Sequence, residues 1–139
     1  MIFKEYDNMN INEMVNEYTD VYARIEEAKR KLYTLEHDIL HNILDGVGRS
    51  TMEGVKVRRI KDGKEGYLAV GRRYSDDMHD SIIFYPLKKD EEVSARPSDS
   101  YWLLITHMGS NVSAKIYINN IPTEFKDALE KLKEIYEAI

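Results

Sequence analysis

Two histidines four residues apart, His37 and His41 in TLEHDILHNILDG, have the spacing at which imidazoles on one helix face converge on a metal ion. Such a pair needs a third ligand, and the segment SDDMHD offers Asp76, Asp77, His79 and Asp80. That set would serve a metal-dependent hydrolase. Yet no glutamate stands beside the first histidine as a general base. A histidine near a helix C-terminus is also stabilised by the helix dipole alone. The expectation is no metal and no cofactor.

A second group is basic and aromatic. Lys56, Arg58, Lys61, Lys64, Arg72 and Arg73 crowd the stretch GVKVRRIKDGKEGYLAVGRRY, with Tyr67 among them. Guanidinium forks suit phosphates and an aromatic ring stacks a base, so this face suits a nucleotide or nucleic acid. It equally suits the solvated side of a sheet whose cations meet Asp62, Glu65 and the acidic segment 76–80. Tyr85, Tyr101 and Trp102 add the residue types that dominate binding hot spots. With Lys56, Arg58, Tyr67, Arg72 and Arg73 they form the expected binding surface.

Covalent chemistry finds little support. Ser50, Ser75, Ser94 and Ser98 fall in loops without a nucleophile-elbow sequence, and His107 has no carboxylate nearby in sequence to orient it. The segment DGVGRST (45–51) has glycines like a phosphate-cradling loop. It follows a helix where a P-loop follows a strand, and it lacks the lysine. No enzyme is expected.

These residues need elements to hold them. Asn10 followed by Glu13 reads as a helix N-cap with a capping box. From there Ile11, Met14, Tyr18, Val21, Ile25, Ala28, Leu32, Leu35 and Ile39 recur in alternating steps of three and four, with Asn42 in the next slot. This heptad seam predicts a helix over residues 10–45, ended by Gly46 at a left-handed C′ position. A seam of period 3.5 needs a partner along its length, and a second copy of the same helix is the expected one. The alternative is an amphipathic helix lying partly on its own sheet. Parallel pairing would attract Lys31 to Glu36 but repel Arg24 from Lys29, so those pairs leave the orientation open. His37 and His41 face away from the seam. Tyr33, Leu40 and Leu44 make a second apolar stripe, which should dock the helix's C-terminal half on the sheet.

After Gly46 the period changes to two. A hairpin about Asp62-Gly63 should set Val57 opposite Leu68, Val55 opposite Val70 and Arg58 opposite Tyr67. Strands are expected at 81–89, 100–108 and 114–120, and a closing amphipathic helix at 123–139 carries Phe125, Leu129, Leu132, Ile135 and Tyr136. Both faces of strands 81–87 and 101–106 are apolar, so something must cover the second: the C-terminal helix, a partner subunit or a client. The reading is α+β: an extension at 1–9, a long coiled-coil-like dimerisation helix at 10–45, and a mostly antiparallel sheet of about five strands closed by a C-terminal helix in 46–139.

Composition bounds the rest. A chain of 139 residues with 42% hydrophobic and 32% charged residues describes one globular domain without an apolar run that spans a bilayer. The start MIFKEYDNMN lacks an apolar signal core, which makes the cytoplasm the expected compartment. The absence of cysteine excludes disulfide scaffolds and thiolate chemistry, and a net charge of −5 disfavours a dedicated nucleic-acid binder. In order of elements the chain resembles the RWD-type globular ends of kinetochore and ubiquitin-pathway proteins. Tyr85-Pro86 matches the start of their tyrosine-proline motif, though the next proline is only Pro97. In composition it is similar to small, tyrosine-rich, acidic phage accessory proteins that inhibit host defence. The function these features predict is a homodimeric or higher-order, non-enzymatic binding protein of adaptor or inhibitor type with a protein partner. The alternatives are binding of a nucleic acid or other phosphate-bearing ligand through the hairpin, and the hydrolase.

Overall fold

The structure, a computed structural model, describes residues 10–72, 80–87 and 100–139, with the side chain of Arg72 left aside. The chain divides into two compact units, Met1–Thr34 and Leu35–Ile139.

Helix α1 (Ile11–Val47) is 37 residues, about 55 Å at the helical rise of 1.5 Å per residue. Its start follows from the cap: the Glu13 backbone N–H donates to Asn10 Oδ1 at 2.9 Å, and Asn10 Nδ2 donates to Glu13 Oε1 at 3.1 Å. Its end does not fall at Gly46. That glycine is helical and lies under the C-terminal helix, where an added Cβ would stand 2.8 Å from Leu129 Cδ2. Close packing against Leu129, not a left-handed turn, is what the glycine serves there.

The strands are β1 (Ser50–Thr51), β2 (Gly54–Arg59), β3 (Glu65–Arg72), β4 (Asp80–Pro86), β5 (Ser100–Met108), β6 (Asn111–Ile118) and β7 (Ile121–Thr123). Helix α2 (Phe125–Ile135) and strand β8 (Tyr136–Ala138) follow. The result is one eight-stranded antiparallel sheet in sequential order, with β8 added beside β2. The α+β reading with an antiparallel sheet holds, but the expected count of about five strands is too low. Each additional strand is two or three residues long, too short to show a period. β7 contains Pro122 at the sheet's edge, where no ladder N–H is needed. Asn119 and Asn120, expected at the end of a strand, form the two-residue turn before it with φ of 52° and 65°.

The predicted C-terminal helix is also shorter than expected. It stops at Ile135, and Tyr136 enters β8, pairing with Arg59 while its ring goes into the core. The core lies between one sheet face and the two helices. Leu40, Leu44 and Val47 from α1 and Ala128 and Leu132 from α2 meet Val55, Val57, Leu68, Ile82, Phe84, Ile116 and Ile118. Among the described residues no helix is long and apolar enough to cross a membrane.

The β2–β3 register differs from the expected one by two residues. Val55 pairs with Leu68, Lys56 with Tyr67 and Arg58 with Glu65. The loop holds four residues rather than two: Arg59 N–H donates to Lys64 O at 2.7 Å and Gly63 N–H to Arg59 O at 2.8 Å, with Gly63 at φ 72°. A shift of two preserves which side chains share a face. The extra loop length is held by Arg59, which donates to both Asp62 oxygens at 2.8–3.2 Å and lies 5.1 Å over the Phe84 ring. Hydrogen bonds from Arg59 hold the Asp62 carboxyl well below the ordinary carboxylate value, at about 2. A carboxyl depressed in the folded state contributes stability above its unfolded value and loses it as pH falls toward 2. Asp62→Asn should therefore flatten the fall in Tm between roughly pH 4 and pH 2. At pH 7 it should cost about 1–2 kcal/mol, because Asp62 is partly screened by solvent while the buried Arg59 guanidinium gives up a charged partner. Thermal melts across that window check both.

Candidate functional site

Alternation places Lys56, Arg58, Tyr67 and Tyr85 of the expected surface on the sheet face opposite the core. Lys56, Tyr67 and Tyr85 form one row across β2, β3 and β4, because Lys56 pairs with Tyr67 and Tyr67 with Tyr85. Lys56 is exposed, and both tyrosines are half-buried. Burial pushes the Tyr85 phenol above its ordinary value. A Cβ on Gly71 would stand 2.6 Å from the Tyr85 hydroxyl, so the bare glycine leaves the space the phenol occupies.

Arg58 sits in the adjoining row between two carboxylates. It pairs with Glu65 on one side and Glu137 on the other, and its Nη1 reaches Glu137 Oε1 at 3.0 Å. Sequence reasoning missed this because β8, which carries Glu137, reads as helix from its apolar spacing. Both partners are about half exposed, so the pair is screened. It still reduces the local positive charge on which phosphate binding would rest.

Trp102 is not part of that row. The pairs Ile82–Tyr101 and Ile83–Ser100 put Trp102 level with Ser81, four residues along β4 from Tyr85, or about 13 Å at the strand rise. Trp102 packs on Tyr117 with ring centroids 5.0 Å apart. Tyr101, expected at the binding surface, is wholly buried: it faces the core and its hydroxyl meets that of Tyr136 at 2.7 Å. Alternation along β5 gives Trp102 the outer face and Tyr101 the inner one. Arg72 ends β3 opposite Asp80. Arg73, the candidate ligands Asp76, Asp77 and His79, Ser75, Ser94 and Ser98, and the extension 1–9 lie outside the described residues.

The histidines occupy the α1 segment that belongs to the sheet unit. His37 Nδ1 lies 2.7 Å from Asp80 Oδ2, the Asp80 backbone N–H donates to Glu36 Oε1 at 2.8 Å, and the His37 and His41 rings meet edge-on at 4.4 Å. The arrangement ties α1 to the start of β4. Among the described residues no group of three or more His, Asp or Glu side chains is placed to hold a metal ion. His37→Ala with His41→Ala should cost no more than about 1 kcal/mol in denaturant unfolding, because the His37 side chain is half exposed.

The expected seam is open to solvent: Ile11 and Tyr18 are 70% and 72% exposed, and Ile25, Leu32 and Leu35 are 48%, 55% and 52% exposed. On the other side of the same helix Leu40 and Leu44 are at 0% and 1%. A groove of about 490 Å³ continues the seam, lined by Leu35, Asp38, Ile39, Asn42, Ile43 and Phe125. Comparison with known proteins finds no match among family models, curated proteins or solved structures, so the RWD-like order of elements acquires no relative.

Proposed function

We propose that this protein is a non-enzymatic, homo-oligomeric binding protein of adaptor or inhibitor type. The seam of α1 joins copies, and the sheet face bearing Lys56, Tyr67 and Tyr85 meets a macromolecular partner. The observation that carries this reading is the row of exposed large apolar side chains from Ile11 to Ile39: Ile11, Met14, Tyr18, Val21, Ile25, Leu32, Leu35 and Ile39 hold a or d in one heptad frame, and Val15 and Tyr22 flank them at e. A continuous apolar stripe of that kind is rare on a monomer and is the usual mark of an interface. Joining copies duplicates the sheet face, so two weak contacts act together with an affinity neither has alone.

Arg58, flanked by Glu65 and Glu137, lends less support to phosphate recognition than to a mixed polar surface for protein. Light scattering tests the assembly. A mass of twice 16.3 kDa or more supports the proposal, and a monomer mass at micromolar concentration overturns it. A salt series with single-stranded nucleic acid tests the ligand class, since phosphate binding weakens steeply as salt rises.

A further inference from the structure

We infer that the copies pair antiparallel along residues 11–35, in a register that sets Tyr18 against the partner's Ala28. This rests on the proposal that α1 joins copies, and it supplies the orientation.

Packing argues for it first. In a parallel pair every seam residue meets its own counterpart, so Tyr18 meets the partner's Tyr18 and Ala28 the partner's Ala28. One layer is then overfilled and another left hollow, and both cost stability. In an antiparallel pair a positions meet d positions. Ile11 then faces the partner's Leu35, Met14 the partner's Leu32, Tyr18 the partner's Ala28, and Val21 the partner's Ile25. The largest seam side chain lies over the smallest, and every other layer joins two side chains of similar size. The matched residues span the exposed stretch from Ile11, 70% exposed, to Leu35, 52% exposed.

Charge selects the register. At the g positions Glu17 approaches the partner's Lys31, twice by symmetry, and Arg24 meets the partner's Arg24 at the axis. Sliding one heptad to full overlap would set Glu17 against the partner's Asp38 and Arg24 against the partner's Lys31, four like-charge contacts, and would put Asn42 against Ile11. The parallel pair gains nothing net, because its Lys31–Glu36 attraction is offset by Arg24–Lys29.

The chain has no cysteine, so disulfide mapping is free of background. Met14→Cys and Leu32→Cys are made singly, oxidised alone and as a mixture, and run without reductant, with light scattering on each sample. Neither variant alone should crosslink, since the two Met14 positions would lie roughly 27 Å apart by helical rise, while the mixture should give a covalent dimer. A dimer mass with Met14→Cys crosslinking to itself, or with no crosslink in the mixture, overturns the orientation and leaves self-association standing. A monomer mass overturns both. Charge exchange gives a second readout. Lys31→Glu should weaken association by about tenfold, and adding Glu17→Lys should restore it. Failure of the double variant to recover, with the fold intact by circular dichroism, counts against the register, because a parallel pair would keep the introduced carboxylate beside Glu36.

Discussion

Glutamate at both Ile25 and Leu32 is expected to reduce the assembled protein to monomers while its β unit stays folded. The two side chains are 48% and 55% exposed within one chain, so their replacement removes little from the fold. Glutamate is also a good helix former. Across copies the balance differs: burying one such side chain is worth about 1.5–3 kcal/mol, and two positions occur in each of two chains. Because each is already about half covered in one chain, the loss is about 3–6 kcal/mol, or on the order of hundredfold to ten-thousandfold in affinity. Light scattering reads the assembly, and circular dichroism with a thermal melt reads the fold. A double variant that kept its mass would place the interface elsewhere.

Tyr136→Ala should have the largest effect on stability. Tyr136 is 1% exposed, stacks on Phe84 with ring centroids 5.3 Å apart, stands edge-on to Tyr101 at 6.2 Å and shares a 2.7 Å hydroxyl contact with it. Truncating a buried aromatic costs about 3–5 kcal/mol. That would lower Tm by roughly 10–15 °C for a domain of this size. Tyr136→Phe keeps the ring and gives up one hydroxyl contact, so it should cost about 1 kcal/mol. If the two variants melted together, the hydroxyl pair rather than the ring would be holding β8 in place.

Tyr136 also shows where local pattern misleads. Phe125, Leu129, Leu132, Ile135 and Tyr136 make a continuous apolar face at helical spacing, and nothing nearby in sequence marks the change after Ile135. The change comes from β2: its edge backbone at residues 57–59 pairs with residues 136–138, a contact that periodicity cannot see. The β2–β3 loop fails for the opposite reason. Asp62-Gly63 is a strong turn signal, but Arg59 binding Asp62 lengthens the loop to four residues. Face assignments survive because the slip is even, which is why Lys56 and Tyr67 still share a side. Long periodic signals are legible throughout. The Asn10–Glu13 cap, the heptads of α1 and the alternation of β4 and β5 each lead to the observed element. The surface itself is less legible, since Arg58's neutralisation depends on Glu137 and Tyr101's burial on which face a register selects.

The ion pair joining Arg58 to Glu137 spans 79 positions of chain, and the β2–β8 ladder it belongs to is the most distant closure in the sheet. Strands β1 to β7 that follow one another are separated by at most 13 residues and pair sooner, whereas a contact of this separation is reached only after a large conformational search. Folding speed should therefore be governed by the arrival of residues 136–138 at β2. Until that seam forms, β2 keeps a bare strand edge at residues 57–59 that a foreign strand would fit as well as its own.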